Sequence, residues 1–361
     1  MNAGGNRSRR YRQKRWRLRR DRRNFLRPRI ANWAASPSVL SHWGVGNHHT
    51  TTRDPFVLDE PIEITLPVRL NFEEDYERTV GHFNTLRSAS VGLRRIKKLR
   101  FEELLFISPA AALVLASEVD AWNERVQGRL RANVESWDPE IRRLLIQMGY
   151  FELLGLLRPR IRTTESSITF VNFRRGEPGA SDSGKMAQDL RVDIEAIVGT
   201  GISRKRLFEG LSEAITNVSQ HAYPPSVLGG DKKRWWLSAS FDRASRNLNV
   251  IFYDQGVGIP KTLPSSDLWE NIKDAFSRWS DSEKIGAAME YGRSSVNRPE
   301  RGKGLKNLLE FAKAYEDGKL SIYSGHGLYR LEHTRDDRIR TTSREHKRSI
   351  GGTLIEWSVK L

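Results

Sequence analysis

The chain has 361 residues, of which 38% are hydrophobic and 29% are charged, and its formal net charge is +17 at pH 7. This length and composition suit two domains with sizeable cores. The chain has no cysteine, which excludes disulfides and thiolate metal sites and agrees with a reducing, cytoplasmic location. No apolar run approaches the length of a membrane span, and the N-terminus lacks the apolar segment of a secretory signal.

The positive charge is concentrated at the N-terminus. Residues 1–30 contain thirteen Arg or Lys and one acidic residue, Asp21, so they carry +12 of the net charge. Aromatic residues lie between the cations, and this combination neutralises phosphates and stacks on bases. We therefore predict that residues 1–35 form a nucleic-acid-binding arm that orders on binding. The predicted contact residues are Arg9, Arg10, Arg12, Lys14, Arg15, Trp16, Arg17, Arg19, Arg20, Arg22 and Arg23.

Other interpretations of this arm stay open. A basic tail can be a solvated extension or a contact for an acidic protein. We expect no membrane partner, because Arg predominates and large apolar residues are few. The density of Arg also exceeds what an organellar transit peptide needs.

Residues 56–160 have the pattern of a smaller α/β unit. The expected order is strand-like residues 61–70, helix-like residues 71–88, strand-like residues 97–108 and helix-like residues 109–130.

The strand-to-helix segment at residues 99–122 is similar to the central turn of STAS domains, the partners of anti-sigma kinases. This resemblance implies a unit that binds a protein partner. STAS phosphoacceptor turns usually contain Asp-Ser followed by Ser or Thr, whereas this chain has Ile107, Ser108 and Pro109. We therefore do not expect phosphorylation at Ser108, and an unrelated α/β helper domain is an open alternative.

A polar stretch follows the next predicted strand. Residues 166–173 are strand-like, and residues 173–185 are rich in Gly, Ser and charged residues. We expect a surface loop within the C-terminal domain rather than a linker between domains, because the next helix must still reach the sheet.

Residues 204–223 predict an amphipathic helix that carries the motif EAITNVSQHA at 213–222. Glu213 and Asn217 are one helical turn apart and project from one face, and His221 continues this stripe. The carboxylate can orient or deprotonate a water, and the amide oxygen can ligate magnesium. Taken alone, the pattern also fits an ordinary helix with a surface Glu and Asn.

The motif DQGVGIP at 254–260 follows a predicted buried strand at 247–254. An Asp at a strand end can accept a hydrogen bond from an adenine amino group. Gly256 and Gly258 allow positive φ and let the backbone approach a ligand closely. By itself, the motif also fits a simple turn after a strand.

The motif RGKGL at 301–305 precedes a predicted helix at 305–315. Its glycines would present backbone N–H groups at a helix N-terminus, where donors and dipole stabilise phosphate. The expected phosphate-binding residues are Arg301, Gly302, Lys303 and Gly304. An ordinary glycine loop with surface cations is the alternative. The chain closes with a predicted strand at 351–361, in which Thr353 either supports the Asp254 contact or is merely structural.

Together these motifs resemble the GHKL ATP-binding fold of gyrase-type, chaperone-type and histidine-kinase ATPase domains, with the greatest likeness to bacterial anti-sigma-factor serine kinases. The resemblance covers residues 165–361. The residues that match are Glu213, Asn217, His221 and Ala222 in the first motif, Asp254, Gly256, Gly258 and Ile259 in the second, and Gly302, Gly304 and Leu305 in the third.

The resemblance implies ATP and Mg²⁺ as cofactors. Glu213 would be the general base and Asn217 the metal ligand, while Asp254 would read adenine. Residues 261–300 would form a mobile lid over the phosphates, and Thr353 would match the threonine of the final strand. A sensor histidine kinase is not expected, because no phosphoacceptor-type histidine segment followed by a second dimerisation helix precedes the motifs.

We therefore predict an α/β (α+β) protein with the basic arm at 1–35, a STAS-like domain at 56–160 and a GHKL two-layer sandwich at 165–361. The expected function is an ATP- and Mg²⁺-dependent regulatory switch in a nucleic-acid-associated bacterial regulatory or defence complex. A serine/threonine kinase acting on a partner protein is the alternative, and a binding module without turnover is a third possibility.

Overall fold

A computed structural model describes residues 62–91, 96–126, 133–159, 167–177, 183–224, 233–262, 278–294 and 304–361. The described residues form helices and one large antiparallel sheet, which confirms the expected mixed α and β class. None of the described helices is both long enough and apolar enough to cross a membrane. The predicted basic arm, and Arg301, Gly302 and Lys303 of the third motif, lie outside the described residues.

Residues 62–154, which we call the N-terminal unit, combine short parallel strand pairs with helices. β1 (Ile62–Thr65) pairs with β3 (Ile96–Arg100), and β2 (Arg69–Leu70) pairs with β4 (Phe106–Ile107). The helical segments are α1 (Tyr76–Val91), α2 (Pro109–Val126), a 3₁₀ turn (Val134–Ser136), α3 (Pro139–Gln147) and α4 (Tyr150–Leu153).

The predicted order of strand, helix, strand and helix is present in this unit, but each predicted strand is split. Pro67 lies between β1 and β2, where its missing N–H cannot continue a ladder. Helix α1 begins at Tyr76, later than residue 71, because residues 72–74 form a turn. The Asn71 carboxamide oxygen accepts a hydrogen bond from the Glu73 amide at 3.0 Å within that turn.

Ser108 caps the N-terminus of helix α2. Its hydroxyl accepts a hydrogen bond from the Ala111 amide at 3.2 Å, and Pro109 is the first helical residue. A serine cap followed by proline is a common way to begin a helix. The Ser108 hydroxyl therefore has a structural use at this turn.

Among the described residues, seven strands form a sheet in the order β10–β9–β8–β11–β7–β6–β5, and every neighbouring pair is antiparallel. The strands are β5 (Ile168–Gly176), β6 (Trp235–Asp242), β7 (Asn247–Asp254), β8 (Lys319–Ser324), β9 (Gly327–His333), β10 (Ile339–Glu345) and β11 (Thr353–Lys360).

One face of this sheet is covered by helices, and we call it the helix face. The helices of this part of the chain are α5 (Ser183–Val198), α6 (Arg204–Asn217), α7 (Ile259–Thr262), α8 (Asp281–Ser294) and α9 (Gly304–Lys313). Their apolar residues share a core with Phe252 and Ile355 of the central strands.

The N-terminal unit covers the opposite face. Tyr253 and Leu354 belong to the core of that unit, whereas their chain neighbours Phe252 and Ile355 belong to the core beneath the helices. Successive side chains of a strand point to opposite faces, so strands β7 and β11 contribute to both cores. This explains why residues 250–253 form a continuous hydrophobic run.

The predicted surface loop and the predicted lid both contain regular structure. In the stretch at 173–185, strand β5 continues to Gly176, whose hydrogen faces the Trp235 ring where a Cβ would lie 2.3 Å from it. In the predicted lid at 261–300, helix α8 packs Ile285 and Met289 into the core of the helix face. Residues 178–182, 263–277 and 295–300 lie outside the described part of the chain.

Candidate functional site

Glu213 and Asn217 lie on the half-buried side of helix α6, whose Leu207, Leu211 and Ile215 enter the core. Burial raises the pKa of the Glu213 carboxyl above its ordinary value, and a hydrogen bond from the Asn217 side chain offsets part of this effect. The predicted one-turn spacing therefore brings the two side chains into direct contact. The carboxyl is held in a defined place and favours a proton more than a surface Glu does.

The α-helix does not continue to Tyr223 as predicted, because Val218–Ala222 form a π-helical turn. A π turn contains more residues than an α turn. His221, which is exposed, therefore departs from the α-helical stripe of Glu213 and Asn217. The Ala222 carbonyl accepts a hydrogen bond from the Val257 amide at 2.8 Å. The π turn thus connects the first motif to residues 255–258, which we call the glycine loop.

Asp254 ends strand β7 on the helix face, two residues after Phe252. Its side chain is only 4% exposed, and its Oδ1 accepts a hydrogen bond from the Gly256 amide at 2.8 Å. Burial raises the pKa of Asp254 to about 7, while hydrogen bonds from the Gly256 and Thr353 amides act in the opposite direction. The site therefore contains a buried carboxyl whose cost of ionisation is only partly compensated.

Thr353 lies directly opposite Asp254 in the β7–β11 ladder and opposite Ser324 in the β8–β11 ladder. The hydroxyl oxygens of Ser324 and Thr353 are 3.0 Å apart. Ser324 Oγ also accepts a hydrogen bond from the Ile259 amide at 2.8 Å. The ends of strands β7, β8 and β11 thus place the two hydroxyls beside the Asp254 carboxyl. The hydrogen bond of Ser324 also fixes the start of helix α7.

The predicted glycines are needed for close backbone contact. A Cβ on Gly256 would lie 2.4 Å from the Ala222 carbonyl oxygen and 2.8 Å from Asp254 Oδ1. Gly258 has φ of +86°, a conformation that disfavours side chains, and a Cβ there would be 2.9 Å from Ser324 Oγ. Residues larger than glycine would therefore push the glycine loop away from the π turn and from β8.

Tyr223 is a site residue that the sequence did not reveal. The hydroxyl of this half-buried residue donates to the Arg234 carbonyl at 2.5 Å and accepts from the Gln255 amide at 3.2 Å. Burial raises the pKa of this hydroxyl well above its ordinary value. Tyr223 therefore fixes the residue that follows Asp254 against the start of strand β6.

Helix α9 brings Gly304 and Leu305, the described residues of the third motif, to the same end of the helix layer. The Ser203 amide donates to the Tyr315 hydroxyl at 2.6 Å, and a Cβ on Gly210 would lie 3.7 Å from the Asn307 carbonyl oxygen. These two contacts show that α6 and α9 run antiparallel. The register places Gly304, at the N-terminus of α9, at the level of Glu213. Leu305 is half-buried against the core of the helix face.

The structure therefore gathers most of the residues that were predicted to bind the nucleotide at one end of the sheet. Glu213 and Asn217 lie on α6, while Asp254, Gly256, Gly258, Ile259 and Thr353 surround the glycine loop. Ser324 and Tyr223 add polar groups that no motif contained. No local sequence pattern marks either residue, because Ser324 reaches the site through the pairing of β8 with β11, and Tyr223 reaches it through the π turn that precedes it.

No protein-family model matches the chain, and a search of curated proteins finds no significantly similar sequence.

Proposed function

We propose that residues 165–361 form a GHKL-type domain that binds ATP with Mg²⁺ and acts as a nucleotide-dependent switch. The observation that carries this proposal is the hydrogen bond between the Ala222 carbonyl and the Val257 amide. It joins the helix of Glu213 and Asn217 to the glycine loop that follows Asp254. Residues suited to the phosphate end of a nucleotide and a residue suited to its adenine therefore lie in one site.

Asp254 is suited to read adenine. The carboxyl is buried, and its two known partners are backbone amides. A 6-amino group donates a hydrogen bond to such an acceptor, whereas the 6-oxo group of guanine is itself an acceptor. A buried polar group that is left unpaired by the wrong ligand gives strong discrimination. The hydroxyls of Thr353 and Ser324 provide further polar contacts for the base.

The N-terminus of helix α9 is suited to bind phosphate. Gly304 begins this helix at the level of Glu213, and the preceding residues of the motif contain two cations. Their positions are outside the described residues, so their part in phosphate binding is inferred from sequence alone.

The residues near Asn217 suit Mg²⁺ better than a metal ion that needs three or more protein ligands. Among the described residues, no group of three or more His, Cys, Asp or Glu could hold a metal ion. Mg²⁺ usually takes one or two protein oxygens and completes its shell with water and substrate phosphates. The Asn217 carboxamide would supply one such oxygen, and a bound Mg²⁺ would neutralise charge on the phosphates.

Glu213 is suited to act as a general base. Burial raises the pKa of its carboxyl, which increases its affinity for a proton from water. Its contact with Asn217 fixes the orientation of the carboxyl relative to the proposed metal position. We assign it the role of accepting a proton from the water that attacks the terminal phosphate.

The switch would act in a cytoplasmic, nucleic-acid-associated regulatory or defence complex. The arm at residues 1–35 would bind RNA or DNA, and the N-terminal unit would contact a protein partner in the manner of STAS domains. These two assignments derive from the charge of the arm and the resemblance of residues 99–122.

The proposal is tested by following γ-labelled ATP with the wild type and Glu213→Ala, with and without added RNA or DNA. Free phosphate that disappears in the variant supports the ATPase, and stimulation by nucleic acid links the arm to it. Label retained on protein would favour the serine/threonine kinase instead. ATP binding without either product would leave a binding module, and the absence of ATP binding would refute the proposal.

A further inference from the structure

A buried polar cluster joins the N-terminal unit to the sheet end that carries the candidate site. Arg87 of α1 and Glu118 of α2 form an ion pair with 2.6 Å between Nη2 and Oε1, and the two side chains are 5% and 4% exposed. Arg87 Nη2 also donates to the Tyr253 hydroxyl at 2.7 Å. The Tyr253 hydroxyl in turn donates to the Gly351 carbonyl at 2.9 Å, and Arg87 Nη1 donates to the Ile350 carbonyl.

These contacts end beside the residues assigned to adenine recognition. Tyr253 immediately precedes Asp254 in β7 and points to the opposite face of the sheet. Gly351 is two residues before Thr353, and between them lies Gly352 with φ of +115°. A Cβ on Gly352 would be 1.9 Å from the Asp254 carbonyl oxygen. The turn at 350–352 is therefore packed directly against the backbone of Asp254.

The chemistry of the cluster makes it sensitive to small movements. A guanidinium presents its donors in a fixed plane, and Arg87 directs them to Glu118, Tyr253 and the 350–352 turn. In a buried site, each of these hydrogen bonds is strong when made and costly when broken. A displacement of the turn must therefore be followed by Arg87, and hence by helices α1 and α2.

We propose that Arg87 and Tyr253 are positioning residues for the Asp254 side of the site, and that they transmit nucleotide occupancy to helices α1 and α2. This inference rests on the function proposed above. Binding at Asp254 and Thr353 restrains the 350–352 turn further, and the cluster carries that restraint through the sheet to the N-terminal unit. The N-terminal unit is thereby the regulated part of the protein rather than an independent attachment.

The test compares Tyr253→Phe with Tyr76→Phe in the full-length protein. Tyr76 of α1 is a suitable control, because its buried hydroxyl donates to the Arg348 carbonyl at 3.1 Å and contacts the same segment outside the 350–352 turn. ATP affinity is measured by calorimetry. Amide hydrogen exchange of residues 76–91 and 109–126 is measured with and without saturating ATP, and thermal unfolding without nucleotide reports folding.

We expect ATP to slow exchange in both helices of the wild type and of Tyr76→Phe. Tyr253→Phe should bind ATP about tenfold more weakly and show no slowing at saturation. Should Tyr253→Phe fail to fold, Arg87→Lys replaces it, because lysine keeps the charge beside Glu118 but lacks the planar set of donors.

Unchanged affinity and exchange in Tyr253→Phe would overturn the inference while leaving ATP binding intact. Equal losses in Tyr76→Phe would also overturn it, because any loosening of α1 would then have the same effect. A wild type that binds no ATP would refute the proposed function, and the inference would fail with it.

Discussion

The Val257 amide donates to the Ala222 carbonyl at 2.8 Å, and this bond passes beside Gly256, where a Cβ would lie 2.4 Å from the same oxygen. The π turn and the glycine loop are therefore close enough to exclude a side chain between them. Two sequence motifs that are separated along the chain are thus in direct contact at this point.

Gly256→Ala should destabilise the protein by roughly 1–3 kcal/mol, because the added methyl group overlaps Ala222 and Asp254. Urea denaturation measures the loss. Gly184→Ala is the matched control, since Gly184 lies in helix α5 and, apart from its chain neighbours and the backbone of its own helix, no atom lies within 4 Å of the place that its added methyl group would take. Alanine in a helix should be neutral or stabilising there. Equal stability of the two variants would show that the glycine loop tolerates the methyl group.

Asp254→Asn should weaken ATP binding by about ten- to a hundredfold and reduce any preference for ATP over GTP. The carboxamide has only one acceptor oxygen, whereas the Gly256 and Thr353 amides both donate to the carboxylate. Competition binding with ATP and GTP measures both effects. Asp242→Asn is the control, because Asp242 ends strand β6 and accepts from Ala244 in an exposed turn. A wild type that binds both nucleotides equally would contradict the adenine-reading role.

Glu213→Gln should reduce ATP hydrolysis by about 10² to 10⁴ while leaving ATP affinity nearly unchanged. The control is Glu209→Gln, one turn earlier on α6, where the side chain contacts Lys205 instead. Because burial raises the pKa of Glu213, the wild-type rate should fall with acidification at a higher pH than an ordinary Glu would give. Full hydrolysis in Glu213→Gln, or an equal loss in Glu209→Gln, would remove Glu213 from the mechanism.

The contribution of Asp254 to the stability of the protein without nucleotide should decrease as the pH rises from about 4 to about 7. The folded protein raises the pKa of Asp254 to about 7 from its ordinary value of 3.8, so unfolding releases a proton in this window. The slope contributed by this one group is at most about 1.4 kcal/mol per pH unit, and it vanishes above pH 7. Denaturation at several pH values should show this slope in the difference between wild type and Asp254→Asn. A difference that is independent of pH would contradict the raised pKa.

Removal of residues 1–35 should abolish salt-sensitive binding to RNA or DNA without changing ATP affinity. The thirteen cations of the first 30 residues can each displace a counterion from phosphates, so the affinity of the intact chain should fall steeply with salt. Fluorescence anisotropy with a labelled oligonucleotide at several salt concentrations measures this dependence. Binding that survives the deletion would place the nucleic-acid contact elsewhere in the chain.

Local patterns in the sequence were sufficient to predict the main helices and strands that carry the site. The strand at 247–254 has the predicted limits, and the third motif does precede a helix, which begins at Gly304. The one-turn spacing of Glu213 and Asn217 predicted that both project from one face, and in the structure the two side chains share a hydrogen bond.

Features that depend on distant partners could not be predicted in this way. The π turn at 218–222 forms where Ala222 meets Val257, and its residues have no composition that distinguishes them from an α-helix. Ser324 joins the site through the pairing of β8 with β11, which no local pattern encodes. The prediction that His221 continues the stripe of Glu213 was wrong, because it assumed α-helical spacing where the chain forms a π turn.

The burial of the sheet on both faces also determines how the protein unfolds. Trp236, Tyr253, Tyr323 and Leu354 point away from the helices and are covered by the N-terminal unit. If that unit were released, these large apolar side chains would become solvent-exposed at considerable cost. We therefore expect the two halves of the chain to depend on each other for stability and to unfold in one cooperative transition.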